Sequence, residues 1–193
     1  MNQVLENILT RRSVRRYKQK QISPAELKTI LKAGSFAPSG NNMQSWRFTA
    51  VQNSRMLKKI NETIRNSILQ TPISDNTSEY MIRLREKATD ENINYMFNAP
   101  TYVIVSNLRD NSNSMADSAL AIGNMMLVAH SLGIGSCWVN LLSRITDLPL
   151  IRKMLSDLAI PENHKVYGAI TLGYPDGIPR EASPRKDVIN IIE

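Results

Sequence analysis

The chain has 193 residues, one cysteine, a formal net charge of +7 and a pI near 9.7. That length can bury enough apolar surface for one compact fold, and no Pro/Gly/Ser-rich linker divides it, so residues 1–193 are expected to form a single domain. A globular apolar fraction of 42%, no apolar run near the ~20 residues that span a bilayer, and Cys137 alone argue against disordered, membrane-spanning, disulfide-framework and structural-zinc classes.

In chain order, Val4, Leu5, Ile8 and Leu9 fall at helical spacing, predicting an amphipathic helix over 2–10 that ends at an arginine cluster. Its basic residues follow the apolar stretch instead of preceding it, unlike an export signal, and a cytoplasmic location is expected. Ser23-Pro24-Ala25-Glu26 is a capping box that starts a second helix, which Leu27, Ile30 and Leu31 continue and Gly34 ends. Phe36 to Asn42 is turn chemistry without period, Trp46 to Val51 reads as a strand, and Met56 to Leu69 as a helix.

Residues 71–95 are polar with scattered Met81, Ile82 and Leu84, compatible with a mobile helix or lid over a site, or with a merely solvated segment. Tyr102-Val103-Ile104-Val105 is a continuous apolar run, the pattern of a central strand covered on both faces. Asn113 to Leu132 is an almost uncharged helix with Asp117 near its start. Its composition predicts burial nearly all round, as a core element or as a dimer seam. Gly133 to Val139 turns into a strand, Pro149 to Leu158 is helical, Lys165 to Leu172 is a strand, and the tail from Pro184 is basic, then apolar. Helices alternating with few strands indicate an α+β layered domain around one sheet.

Neither His130 nor His164 stands in a spacing that closes a metal shell, and Cys137, flanked by apolar residues, has no evident base; metal and cysteine-nucleophile sites are not expected. Arg11-Arg12-Ser13-Val14-Arg15 combines guanidinium forks with a hydroxyl, a donor set for phosphate, although basic clusters are commonly solvated faces. Pro38 to Trp46 places neutral hydrogen-bonding side chains on a Gly/Pro loop, as a planar heterocycle would need, or is an ordinary loop. Gly133-Ile134-Gly135-Ser136-Cys137 lets backbone approach a ligand closely, or merely turns.

The order of these pieces, Arg11 to Arg15 with Tyr17, then Ala37 to Trp46, Asn98-Ala99-Pro100 before a strand, Gly133 to Trp138 after the long helix, and Gly173-Tyr174-Pro175 before Arg185-Lys186, resembles the FMN-dependent nitroreductase family across nearly the whole chain. The resemblance implies a mostly antiparallel central sheet flanked by helices, and an intertwined homodimer with two FMN molecules at the subunit interface. By motif position Arg11, Arg12, Ser13 and Arg15 would hold the phosphate, ribityl chain and pyrimidine edge, with Arg185 and Lys186 approaching the phosphate from the far end of the chain. Pro38, Ser39, Gly40 and Asn42 would come from the partner, Gln44 would lie near the pyrimidine edge or substrate, and Ser136 and Cys137 would face the isoalloxazine through backbone. The family often has proline where Ser45 stands, and residues 71–95 match no motif of it.

The activity so implied is ping-pong electron transfer from NADH or NADPH to a small acceptor such as a nitroaromatic or quinone, with no side chain required as acid or base. A flavin reductase, dehalogenase or biosynthetic dehydrogenase on the same fold is the alternative. A basic nucleic-acid-binding module is the rival from another class, but aromatic residues are not interleaved with the basic runs apart from Tyr17; neither nucleic acid nor membrane is expected as a partner.

Overall fold

The computed structural model of the chain describes residues 2–186 and 189–192. Helix α1 (Gln3–Thr10) begins at Asn2, whose side chain accepts the Val4 N–H at 2.8 Å. Helix α2 (Pro24–Ser35) starts with the expected capping box: Glu26 N–H donates to Ser23 Oγ, and Ser23 N–H donates to the Glu26 carboxylate. A single 3-10 turn at Gly40–Asn42 leads to strand β1 (Arg47–Val51) and helix α3 (Ser54–Gln70).

Helix α4 (Glu79–Ala88) lies in the stretch whose form the sequence left open. Ser78 caps it, and Leu84 and Ala88, one turn apart, are buried. Strand β2 (Thr101–Leu108), helix α5 (Ser114–Ser131), strand β3 (Gly135–Val139), a short α6 (Leu141–Arg144), α7 (Pro149–Asp157) and strand β4 (His164–Gly173) follow.

The four strands form one fully antiparallel sheet in the order β1-β2-β4-β3, so β2 and β4 are interior and β2 is covered on both faces, as its apolar run implies. Alternation along β2 divides the core. Tyr102 and Ile104 pack toward Ile60, Ile64 and Ile68 of α3, Leu84 of α4 and Ile151 and Leu155 of α7. Val103 and Val105 pack toward Ile30 of α2 and Ile122, Met125 and Ala129 of α5. The architecture is three-layered α+β.

The burial expected of α5 is met on one face by this chain. Within this chain α5 is not buried nearly all round: Ala121, Ile122, Met125 and Ala129 face the sheet, while Met115 and Leu120 are exposed at 56% and 47%. The apolar residues of α1 are exposed too. That helix is tied to α5 by polar contacts, Asn7 Nδ2 donating to the Leu127 carbonyl at 2.9 Å and Thr10 Oγ1 lying 2.9 Å from His130 Nε2.

Candidate functional site

Where α1 ends, the chain runs alongside the start of β3. Val14 N–H donates to the Ser136 carbonyl at 2.9 Å, Ser13 pairs with Ser136 in a parallel bridge, and Tyr17 pairs with Pro175. The Tyr17 hydroxyl donates to the Val14 carbonyl at 2.5 Å and lies 2.8 Å from Thr171 Oγ1; burial holds this phenol well above its ordinary pKa, so it stays a neutral strut. Gly135 makes the approach possible, since a Cβ there would lie 2.8 Å from Val14 Cβ.

These contacts bring Arg11, Arg12, Ser13, Arg15, Ser136 and Cys137 together. A cleft of 170 Å³ is lined by Arg11, Arg12, His130, Gly135 and Ser136 among others. Arg11 Nη1 and Ser136 Oγ are buried and have no hydrogen-bond partner among the described residues. Arg12 is partly engaged: its Nη1 donates to the Leu9 carbonyl at 2.6 Å and the Arg11 carbonyl at 2.7 Å, closing off the end of α1, while its Nε is buried without a partner among the described residues. The Arg15 guanidinium sits over the Phe97 ring, 5.8 Å from its centroid.

Burial pushes the Cys137 thiol above its usual pKa, opposed by Arg15, the Ser13 hydroxyl and Arg11, so the thiol is neutral and shielded at physiological pH. Burial likewise lowers the His130 pKa, and the positive charges of Arg11 and Arg12 add to this effect. The cleft is therefore cationic, with a neutral imidazole at its edge.

The Pro38–Gln44 loop lies elsewhere. Gly40 N–H donates to Asp117 Oδ1 at 3.0 Å, at the N-terminal end of α5, whereas Ser136 follows the C-terminal end. At 1.5 Å per residue, Asp117 and Ser131 alone are about 20 Å apart along the axis. Pro38, Asn42 and Gln44 are exposed and Ser39 and Gly40 partly so; Gln44 N–H donates to Ser39 Oγ at 3.1 Å and Gln44 Nε2 to Asn42 Oδ1 at 2.7 Å. Asn41, Asn42 and Gln44 all adopt left-handed φ, which holds the loop in one shape at a conformational cost. Within one chain the loop and the arginine cluster are at opposite ends of the same helix.

Arg185 and Lys186 are exposed in an irregular stretch and form no hydrogen bond or ion pair with another described residue. The chain alone does not bring them to Arg11. Residues that sequence reasoning passed over are Asp117 and Asn113, which hold Gly40, Phe97 under Arg15, and the Tyr17–Thr171 pair. Asp117 had one visible signal, a lone carboxylate in an otherwise uncharged helix.

Among the described residues no group of three or more His, Cys, Asp or Glu could hold a metal ion, and no helix is long and apolar enough to cross a membrane.

The sequence model of the Nitroreductase family matches residues 8–174. A crystal structure of a nitroreductase with bound FMN from Bacteroides fragilis superposes with a TM-score of 0.91 at 42% identity, covering 100% of both chains. An NADH dehydrogenase/NAD(P)H nitroreductase, so named, from Archaeoglobus fulgidus is 31% identical over 175 residues, 91% of this chain and 87% of its own. An iodotyrosine deiodinase from Thermotoga neapolitana is 26% identical over 183 residues, 93% of this chain and 91% of its own. Fold, family match and full-length similarity agree: the chain belongs to the nitroreductase family of oxidoreductases.

Proposed function

We propose that the protein is an FMN-dependent oxidoreductase that takes electrons from NADH or NADPH and passes them to a small acceptor, working as a homodimer with its cofactor sites between the chains. The observation that carries this reading is the cationic cleft in which Arg11 Nη1 and Ser136 Oγ are buried without partners. An unpaired buried guanidinium nitrogen is costly unless an anion compensates it, and a phosphate ester with acceptor oxygens fits both donors. Bound FMN in the Bacteroides fragilis relative, at 42% identity over the full length, supports the choice of phosphate ester.

The dimer reading rests on two further features. A cleft of 170 Å³ is below the roughly 300 Å³ at which ligand pockets begin, so it can take the phosphate end of such a cofactor but not the whole. Pro38, Ser39, Gly40, Asn42 and Gln44 lie at the opposite end of α5 from the cleft, which supports assigning them to a second chain's cofactor. Exposed apolar residues on α1 (Val4, Leu5, Ile8, Leu9) and α5 (Met115, Leu120) provide surface for that association. In such an assembly Arg185 and Lys186 are assigned to the phosphate from the far end of the chain.

The chemistry that FMN supplies when bound is hydride acceptance from NADH or NADPH and, in a separate ping-pong half-reaction, electron donation to a small acceptor such as a nitroaromatic or quinone. The chain's own residues bind and orient. Arg11 and Ser13 would neutralise and hold the phosphate, with the Ser136 hydroxyl as a further donor beside the backbone contact expected of that residue; Arg15, steadied by Phe97, would supply positive charge to offset the negative charge that grows on reduction. Cys137, neutral and buried, offers no competing nucleophile.

The test is the visible spectrum of protein incubated with FMN and desalted, before and after anaerobic NADH or NADPH. Retained flavin bands that either nicotinamide bleaches are expected; a colourless protein would overturn the reading. Reductive dehalogenation is the second reading, favoured by the iodotyrosine deiodinase relative. Reoxidation of the reduced protein by a halophenol faster than by a nitroaromatic or quinone would select it.

A further inference from the structure

We infer that Asp117 is a positioning residue of the cofactor site, and that it acts across the dimer: from the first turn of α5 it fixes, through the Gly40 N–H, the Pro38–Gln44 loop that completes the partner chain's site. The inference rests on the proposed dimeric FMN site.

Asp117 is only 3% exposed and is the sole acidic or basic side chain among residues 114–131 apart from His130. A buried carboxylate needs a reason. The N-terminal turn of α5 supplies part of the compensation through its aligned peptide dipoles. Its one side-chain hydrogen-bond partner among the described residues is the Gly40 N–H, 3.0 Å from Oδ1, while Oδ2 is buried without one. Among the described residues this is the one hydrogen bond that joins residues 38–44 to another element, because the loop's other bonds, Asn42 N–H to the Ser39 carbonyl, Met43 N–H to the Gly40 carbonyl, Gln44 N–H to Ser39 Oγ and Gln44 Nε2 to Asn42 Oδ1, are internal.

Asn113 closes the other side. A Cβ on Gly40 would fall 2.2 Å from Asn113 Nδ2, so the backbone at residue 40 is gripped between a carboxylate and an amide of the same helix turn. The following left-handed residues, Asn41 (φ 52°) and Asn42 (φ 54°), tolerate that conformation better than most side chains but still resist it. With the grip released, the loop would relax toward commoner geometries and carry Asn42 and Gln44 off their positions. A charged acceptor bonds an amide N–H more strongly than a neutral one, which is why a carboxylate serves better than an amide here.

The helix therefore links two half-sites. Its N-terminal turn sets the loop offered to the partner, and its C-terminal end feeds Gly135 and Ser136 of the chain's own cleft. This assigns the effect of Asp117 to the opposite active site from the one that Arg11 serves.

Mixed dimers test the assignment. Asp117→Asn keeps the shape and removes the charge; the homodimeric variant is expected to bind FMN roughly tenfold more weakly than wild type, measured by quenching of flavin fluorescence. The decisive species carries one D117N chain and one R11A chain, each with a different affinity tag, purified on both tags in turn. If Asp117 acts in trans, one site unites the intact arginine cluster of the D117N chain with the intact loop of the R11A chain. The mixed dimer then binds a single FMN at wild-type affinity, while neither homodimer does.

Loss of that site in the mixed dimer, or wild-type FMN affinity in the D117N homodimer, overturns the inference. Wild-type protein that is monomeric or retains no FMN overturns instead the reading beneath it, so the two failures are told apart. Should D117N not fold, Asp117→Ser, which leaves no buried amide unpaired, carries the same mixed-dimer measurement.

Discussion

The Val14 N–H and the Ser136 carbonyl, 2.9 Å apart, join two segments 122 positions apart in sequence and set the segment that carries Arg11, Ser13 and Arg15 beside the start of β3. The segment after α1 has no strand or helix of its own to hold it. It is held by this bond, by the Tyr17 hydroxyl on the Val14 carbonyl, by the backbone bonds of Lys18 N–H to the Tyr174 carbonyl and Asp176 N–H to the Arg16 carbonyl, and by the absence of a side chain at Gly135.

Gly135→Ala puts a methyl group 2.8 Å from Val14 Cβ, where the neighbour is a branched side chain on a pinned backbone. The expected cost is overpacking, about 1–3 kcal/mol of stability. Because the displaced segment carries Arg11, Ser13 and Arg15, FMN affinity should fall with it. Urea denaturation of the apoprotein and a flavin titration check both effects, and a variant with wild-type values in each would show that Val14 yields freely.

Arg11→Ala separates binding from folding. The side chain has a buried nitrogen without a partner, so its removal should leave the apoprotein's melting temperature unchanged or higher while costing on the order of 1.5–3 kcal/mol of FMN affinity, the usual worth of a hydrogen bond to a charged group. A parallel loss of apoprotein stability would mean that Arg11 is a structural residue. The rise of melting temperature on adding FMN should also be smaller than in the wild type.

The elements that sequence predicted well are those whose signal is local. The capping box of α2 and the unbroken apolar run of β2 both state their environment within a few residues. The α4 region was harder because Leu84 and Ala88 stand among charged neighbours, and two apolar positions one turn apart do not reveal that a core lies beneath them. Of the two readings of α5, the single chain supports the core for one face only, Ala121, Ile122, Met125 and Ala129, and leaves Met115 and Leu120 exposed. The arginine cluster and the Pro38–Gln44 loop could be found by resemblance, but their separation along α5 needed coordinates. The grip of Asp117 and Asn113 on Gly40 joins residues more than 70 apart, which no local pattern encodes.

Tyr102→Phe addresses the core, away from the site. Tyr102 is fully buried between the sheet and α3, and its hydroxyl has no hydrogen-bond partner among the described residues. Removing an oxygen that gains nothing from its surroundings should stabilise the protein by about 1 kcal/mol or leave it unchanged, without altering FMN affinity. A loss of more than about 1 kcal/mol would show that the hydroxyl has a partner that matters.

The two histidines make a pH prediction with a defined sign. Burial lowers both pKa values, with Arg11 and Arg12 adding to the effect at His130 and Arg47 at His164, where the Ser106 hydrogen bond opposes it. The folded chain therefore binds these protons less readily than the unfolded chain, whose imidazoles titrate near about 6.5. Their contribution to stability is fully present above that pH and is lost as pH falls from there toward the folded values. The lowered carboxylates Glu26 and Asp147 act in a separate window, below about pH 4. Thermal melts of the apoprotein between about pH 7.5 and 5.5 should show a falling midpoint, and His130→Gln and His164→Gln should each remove part of the slope. FMN should flatten part of the His130 share alone, because an anion beside Arg11 and Arg12 relieves the repulsion that adds to the effect of burial on that imidazole. A slope that both glutamine variants leave untouched would assign the effect to other groups, and a slope that FMN does not change would place the anion away from His130.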